Sequence, residues 1–211
     1  MFHVKHYGPD EFRRDTGVSR ETLARLGAYA ELLVKWQARI NLVGPDTIPS
    51  LWHRHFLDSA QVFPLLPQPI HRVVDMGSGA GFPGLVLAVM GAPDVHLIES
   101  DARKCAFLRE AARITGTAVT VHNARIESVP PLGADLVTAR ALAPLEKLLG
   151  WAGRHLLPDG HCLFLKGRGH EDELTTASKE WNITFERTPS RTDALGAILH
   201  CREVHRGRAK R

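Results

Sequence analysis

The sequence predicts an α/β protein, a doubly wound and mainly parallel sheet preceded by an N-terminal helical extension. Three observations predict it. From residue 72 onward, short apolar runs of strand length alternate with amphipathic stretches of helix length, the pattern of successive βαβ units. A glycine-rich turn carrying Gly77, Gly79, Gly81 and Gly84 links the first apolar run to the next helix. Before residue 64 the apolar period is helical, and Pro64, Pro67 and Pro69 separate the two regimes. The chain therefore divides into a helical extension, 1–69, and a sheet-bearing part, 70–211, which together form one compact unit.

Each element follows from local pattern. Residues 20–41 place Leu23, Leu26, Ala30, Leu33, Trp36 and Ile40 at helical spacing on one face. Ser19 suits the N-cap and Glu21 the first turn. A second helix is expected over about 47–63. RVVDM (72–76) reads as a buried strand, followed by the glycine turn and a helix over 82–90. VHLIES (95–100) is the second strand. The helix DARKCAFLREAARITG turns Cys105, Leu108, Ala112 and Thr115 inward and ends at Gly116. AVTVH (118–122) and ADLVTAR (134–140) are the third and fourth strands. A helix then runs to Leu157-Pro158-Asp159-Gly160, which stops it. HCLFLKG (161–167) is the fifth strand. HEDELTTASKEW reads as a helix, and WNITFER and AILHCREV as two further strands.

The bulk numbers agree with this class. A chain of 211 residues buries roughly 70% of its unfolded surface and needs no covalent staples. Cys105, Cys162 and Cys201 lie far apart, which indicates reduced thiols rather than a disulfide frame or a zinc site. No apolar run reaches the ~18 residues of a membrane span. The opening residues, MFHVKHYGPDEFRR, have no apolar signal region. The expectation is a cytoplasmic protein with no membrane association. A net charge of +4 is compatible with a polyanionic partner. The basic C-terminus, HCREVHRGRAKR, reads first as a solvated, frayed tail and second as a phosphate contact.

The glycine turn admits three ligand readings. A phosphate-cradling loop of the form GxxxxGK[ST] fails, because no Lys-Ser or Lys-Thr follows the glycines. A dinucleotide loop, GxGxxG, is matched by GAGFPG at 79–84. An S-adenosylmethionine loop, an acid followed by GxGxG, is matched by Asp75 with Gly77, Gly79 and Gly81. Asp75 favours the last, because a carboxylate suits an ammonium and opposes a pyrophosphate. Glu99, ending the second strand, supplies an acceptor for ribose hydroxyls.

These residues resemble motif I of the class I methyltransferases. More narrowly, VVDMGSGAGFPG resembles the loop D-x-G-[ST]-G-x-G-x-P-G of the glucose-inhibited division protein B family, the 16S rRNA guanine-527 N7-methyltransferases. INLVG (40–44) with RHFLDS (54–59) is similar to that family's N-L-T…R-H-x-x-D-S signature. IESDARKCAFLRE, NARIE (123–127), ARALAPL (139–145) and FLKG (164–167) fall in the corresponding order. The likeness covers about 19–168. Glu99 stands where an Asp is also common, and Val43-Gly44 where Thr-Ser or Thr-Gly is frequent.

The resemblance implies a Rossmann-like methyltransferase that uses S-adenosylmethionine. Its implied cofactor contacts are Asp75, Gly77, Gly79, Gly81, Phe82, Glu99, Ile126, Glu127 and Arg140. Ile126 and Glu127 would lie near the adenine, Phe82 near the methionine or ribose. Arg54, His55 and Asp58 would build the active-site wall as positioning groups, with no acid–base catalyst. Arg125, Arg140, Lys166 and Arg168 are candidate RNA contacts. The implied substrate is 16S ribosomal RNA within a small-subunit particle, met by a monomer. His53 and His55 do not make a metal site, because helical spacing turns them to different faces.

The residues limit the chemistry independently. No [DN]PP[FYW] motif follows the fourth strand, as amine methylation would require, and no cysteine sits in a Pro-Cys setting. Guanine N7 is a lone-pair acceptor, so its methylation needs no general base. Two rivals remain. A nicotinamide oxidoreductase lacks a relay pair, since Tyr7 and Tyr29 both precede the loop. A non-enzymatic ribosome-assembly factor would have no use for an intact Asp75, glycine series and Glu99.

Overall fold

The computed structural model describes residues 7–207. Its sheet contains β1 (Val73–Met76), β2 (Val95–Glu99), β3 (Val119–Asn123), β4 (Ala134–Arg140), β5 (Leu156–Lys166), β6 (Trp181–Pro189) and β7 (Ala197–Arg206). The spatial order is β3-β2-β1-β4-β5-β7-β6. The first five strands run parallel, and β7 is antiparallel to both β5 and β6. The central β1 is buried throughout, so its side chains do not alternate apolar with exposed, and Asp75 is its one buried charge.

The period-two alternation of the strands sorts side chains into two cores. Val73, Leu97, Leu136 and Leu163 point to one face, where α4 (Gly84–Met90), α5 (Ala102–Ile114) and α2 (Arg20–Gln37) cover them. Val74, Ile98, Val137 and Phe164 point to the other, under α6 (Leu145–His155) and α7 (His170–Ala177). The N-terminal helices belong to the first core. Phe12 on α1 (Pro9–Thr16), with Leu26, Tyr29, Leu33 and Phe56, is completely buried there. The Tyr29 hydroxyl donates to the Ala80 carbonyl, so the extension is bonded to the glycine turn.

Several expected elements differ in detail. α1 is too short for its period to stand out, yet it is closed by Gly17 in the left-handed region (φ 71°). α2 begins as expected, with Ser19 Oγ accepting from the Thr22 amide at 3.0 Å. It ends at Gln37, whose side chain captures the Leu42 and Val43 amides and so stops the ladder before residue 41. The helix expected over 47–63 is broken. A 3₁₀ segment (Pro45–Ser50), a π-helical segment (Trp52–Leu57), the single turn α3 (Asp58–Ala60) and a 3₁₀ turn (Phe63–Leu65) replace it. Pro49 cannot donate to an α ladder, and Ser59 Oγ donates to the His55 carbonyl at 2.8 Å.

α4 starts at Gly84 rather than 82, with Pro83 as its N-cap. α7 stops at Ala177, short of the expected 181. Leu157-Pro158-Asp159-Gly160 does end α6, but the chain enters β5 at once. Ala134 pairs Leu156 and Leu136 pairs His161, so the extra residues form a bulge that accommodates a proline without a donor. The basic C-terminus is a larger correction. Residues 200–206 are not a frayed tail but the outer part of β7, paired with β6. Residues 208–211, and 1–6 of the opening segment, lie outside the described residues.

The packing of α4 on the sheet is tight enough to test. A Cβ on Gly84 would stand 2.5 Å from Asp75 Cβ and 2.6 Å from Leu97 Cδ2. No unusual backbone angle is involved, so the obstacle is steric alone. Gly84→Ala is expected to cost about 2 kcal/mol or more, read as a lower urea midpoint at unchanged m-value.

Candidate active site

Three strands deliver functional side chains to one face at their carboxyl ends. Asp75 on β1 is in register with Leu97 on β2 and Thr138 on β4. Two residues further on, by the period of two, come Glu99 on β2 and Arg140 on β4. The glycine turn, 77–84, lies among them.

Glu99 closes the turn. Its Oε2 accepts from the Gly79 amide at 2.9 Å and its Oε1 from the Asp101 amide at 2.7 Å. Each oxygen keeps a second lone pair with which to receive a hydroxyl. Asp75 lies beneath the turn, fully buried. Oδ1 accepts from Thr138 Oγ1 at 2.7 Å, while Oδ2 has no hydrogen-bond partner. Burial pushes its carboxyl up to about 6, against the opposing pull of the Thr138 and Ser78 hydroxyls, the Gly84 amide and, last, the Arg140 charge. Gly77, at φ +64°, is needed for its backbone angle, while the Leu142 methyl 2.5 Å from a Cβ there could turn aside.

Arg140 is the hub of the second half. Its guanidinium lies over the Phe82 ring, 5.0 Å from the centroid. Nη1 donates to the Arg54 carbonyl and to Asp58 Oδ2, both at 3.2 Å, and Nη2 to His55 Nδ1 at 2.9 Å. The cation fixes the imidazole tautomer. His55 Nδ1 must accept, so Nε2–H donates to Thr47 Oγ1 at 2.7 Å, and Thr47 donates in turn to the Gly44 carbonyl at 2.6 Å. Burial, then the charges of Arg140 and Arg54, drive the His55 pKa down to about 3. His55 also stacks on Phe82, with centroids 5.2 Å apart. The π-helical segment brings Arg54, His55 and Asp58 to the same guanidinium.

A cleft of about 320 Å³ opens beside this hub, within the size range of small-ligand sites. Arg54, His55, Asp58, Arg140 and Lys166 line it. Lys166 is half-buried, its Nζ 2.6 Å from Glu173 Oε2 and donating to the Ala143 carbonyl at 2.9 Å. The remaining sequence candidates lie elsewhere. Phe82 is buried between Tyr29 and His55. Arg125 and Glu127 are exposed around the turn after β3, with Ile126 buried in the second core. Arg168 is exposed beside a separate depression with Glu171 and Arg187. Among the described residues, no group of three His, Cys, Asp or Glu side chains is gathered to hold a metal ion, and no helix is long and apolar enough to cross a membrane.

Sequence reasoning missed Thr138, Thr47, Gln61, Ser190 and Thr192. Thr138 was within reach, since it shares the period-two face of Asp75 and Arg140. The other four carry no local signal, because only the fold brings their segments together.

The sheet order, the acid-flanked glycine turn after β1 and the acid ending β2 define the S-adenosylmethionine-dependent methyltransferase class. Solved structures agree at the level of fold. The chain superposes on a ribosomal protein L11 methylase from Lactobacillus delbrueckii subsp. bulgaricus with a TM-score of 0.57 at 18% identity, covering 71% of this chain and 77% of that one. A methyltransferase from Aquifex aeolicus gives 0.55 at 17%, covering 72% and 92%. The sequence goes further. Residues 22–196 match the model of the family described as GidB, rRNA small subunit methyltransferase G. Proteins named ribosomal RNA small subunit methyltransferase G are 71% identical in Paramagnetospirillum magneticum, over 96% of this chain and 99% of that protein. In Rhodospirillum rubrum the identity is 54%, over 94% and 98%. The chain belongs to the rRNA small subunit methyltransferase G family.

Two buried groups titrate in opposite senses. The unfolded chain protonates histidine near 6.5, whereas folded His55 resists until about 3, so its stabilising contribution is full above 6.5 and lost as pH falls. Asp75, raised from 3.8 to about 6, contributes stability at low pH that is lost as pH rises through that window. Relative to wild type, His55→Gln is expected to lose less stability between pH 6.5 and 4, and Asp75→Asn to lose more. Urea midpoints measured across that range check both.

Proposed function

We propose that this protein transfers the methyl group of S-adenosylmethionine to N7 of a guanine in 16S small-subunit ribosomal RNA, at the position that the resemblance gives as 527. The observation that carries this reading is the face shared by the acid-flanked glycine turn and the cation-lined cleft, in a chain that belongs to the family from residue 22 to 196. The cofactor site fits on its own terms. A buried carboxylate with an unpartnered oxygen lies under a turn whose Gly77 holds a left-handed backbone angle, and a second carboxylate ends the neighbouring strand.

When bound, S-adenosylmethionine supplies an electrophilic methyl on a sulfonium, and the N7 lone pair displaces a neutral thioether. The chain's own task is then to bind, orient and exclude water. Asp75 and Glu99 hold the cationic and ribose ends, with Gly77, Gly79, Gly81 and Phe82 shaping the turn and Ile126 and Glu127 bordering the adenine. Arg140 holds the target base against the cofactor. N7 has no proton to surrender, so His55 serves as a neutral brace, and Arg54 and Asp58 position Arg140. Arg125, Lys166 and Arg168 attract the RNA backbone.

The helical extension, 1–69, supplies the wall of the base site, and 70–211 supplies the cofactor turn. The substrate is a small-subunit particle met in the cytoplasm.

Incubating the purified protein with labelled S-adenosylmethionine and unmodified small subunits, then mapping the label by nuclease digestion and mass spectrometry, tests the reading. Label on one guanine as 7-methylguanosine is expected; label on another atom or base overturns it. Arg140→Ala is expected to lower turnover by roughly a hundredfold with a much smaller effect on melting temperature. Affinity for the RNA substrate is expected to fall steeply with salt, as a titration between 50 and 200 mM would show.

A further inference from the structure

The loop between β6 and β7, residues 190–196, is far in sequence from every motif discussed so far, yet it closes on the active-site wall. Thr192 Oγ1 donates to Asp58 Oδ1 at 2.6 Å. The Arg191 amide donates to Gln61 Oε1 at 2.8 Å, and Gln61 Nε2 donates to Ser190 Oγ at 3.3 Å and to Asp58 Oδ1 at 2.9 Å. Arg191 reaches α1 as well, through the Asp15 carboxylate at 3.7 Å and carbonyl at 3.4 Å. The loop is thus bonded to the extension on two sides.

We infer that this loop is a latch that positions Arg140, and that Thr192 is its positioning residue, acting through Asp58. The argument rests on the reading of Arg140 as a substrate-holding group. An Asp carboxylate turns freely about its last torsion unless its acceptors are occupied. Here Oδ1 receives two donors from outside its own side chain, which leaves Oδ2 a single orientation, toward Arg140 Nη1. A guanidinium has five donors in a rigid fork. Arg54 O, Asp58 and His55 take three of them, and the Phe82 ring supports the flat face. Nε–H and one Nη2–H are left over, with their directions set by the other three. Fixing Asp58 therefore fixes where Arg140 aims its free donors into the cleft. Without Thr192, Asp58 keeps its charge and the Gln61 donor but loses one of the two hydrogen bonds that orient it, and the aim of Arg140 loosens.

The latch has a consequence that ordinary packing does not share. Its effect on turnover must pass through Arg140. Thr192→Val, nearly equal in volume, is expected to lower kcat on unmodified small subunits by about tenfold, with S-adenosylmethionine affinity unchanged. Thr192→Ser, which restores the donor, is expected to recover most of the rate. In an Arg140→Ala background, Thr192→Val is expected to have no further effect on kcat. Additive losses in that double variant, or a serine variant as slow as the valine one, overturn the latch. A second measurement does not depend on turnover. The Arg140 Nε–H resonance, assigned by its loss in Arg140→Lys, is expected to broaden or shift in Thr192→Val and return in Thr192→Ser; an unchanged resonance also overturns the latch. If wild type makes no 7-methylguanosine, the proposed reaction fails, and this resonance alone decides the latch.

Discussion

A half-buried cation gathers the active-site wall of this molecule. Arg140 has only 18% of its side chain exposed, and a charge withdrawn from water must find acceptors or raise the free energy of the fold. Its acceptors come from the extension: the Arg54 carbonyl, His55 Nδ1 and Asp58 Oδ2. The ring beneath it comes from the glycine turn. One guanidinium at the end of β4 therefore requires that the extension, the turn and the sheet meet at a single point. The irregular helix over 45–60 answers this demand. His55 and Asp58, three residues apart, share a helical face, and Arg54, within the π-helical segment, joins them through its backbone carbonyl. Such turns recur at functional sites.

The electrostatics beneath are arranged to spare charge. Asp75 and His55 are both buried close to Arg140, and both are shifted toward their neutral forms. The shifts have different meanings. His55 is neutral because the low-dielectric site already holds a cation, and its neutral tautomer is the one that can accept from Arg140. Asp75, raised by burial to about 6, stays largely ionised at neutral pH, with one oxygen unpartnered. A cationic ligand brought to that oxygen would offset the cost of burying its charge, which makes the carboxylate a site completed by what it binds.

Much of the fold was readable from the amino-acid order, because its signals are local. The βαβ alternation, the glycine turn and the inward residues of the 102–114 helix all follow from period, and the structure bears them out. Asp75 and Glu99 were each legible as acids ending a strand, but the register that sets them beside Arg140 belongs to the sheet. What escaped is non-local or irregular. Pro49 and Ser59 disrupt a helix whose apolar spacing reads as regular. The basic end of the chain reads as a tail because charge signals exposure, yet Arg202 and Arg206 lie on a strand that pairs with β6. Ser190 and Thr192 have no signal at all, since their partners, Gln61 and Asp58, stand 129 and 134 residues away.

Methylation at N7 explains why so much of the site is devoted to orientation. The reaction removes no proton, so a well-placed base would add nothing to it. On the proposed reading, the positive charge moves from sulfur to a purine held beside Arg140, and that cation tolerates the shift best when its own charge is balanced. Asp58 provides that balance at 3.2 Å, and its second oxygen is anchored elsewhere, so the pair cannot separate as charge develops. A guanidinium whose fork is preset by three acceptors loses little further freedom when a base arrives. On the proposed reading, catalysis here is the entropy of alignment, settled in advance by the packing of the extension on the sheet.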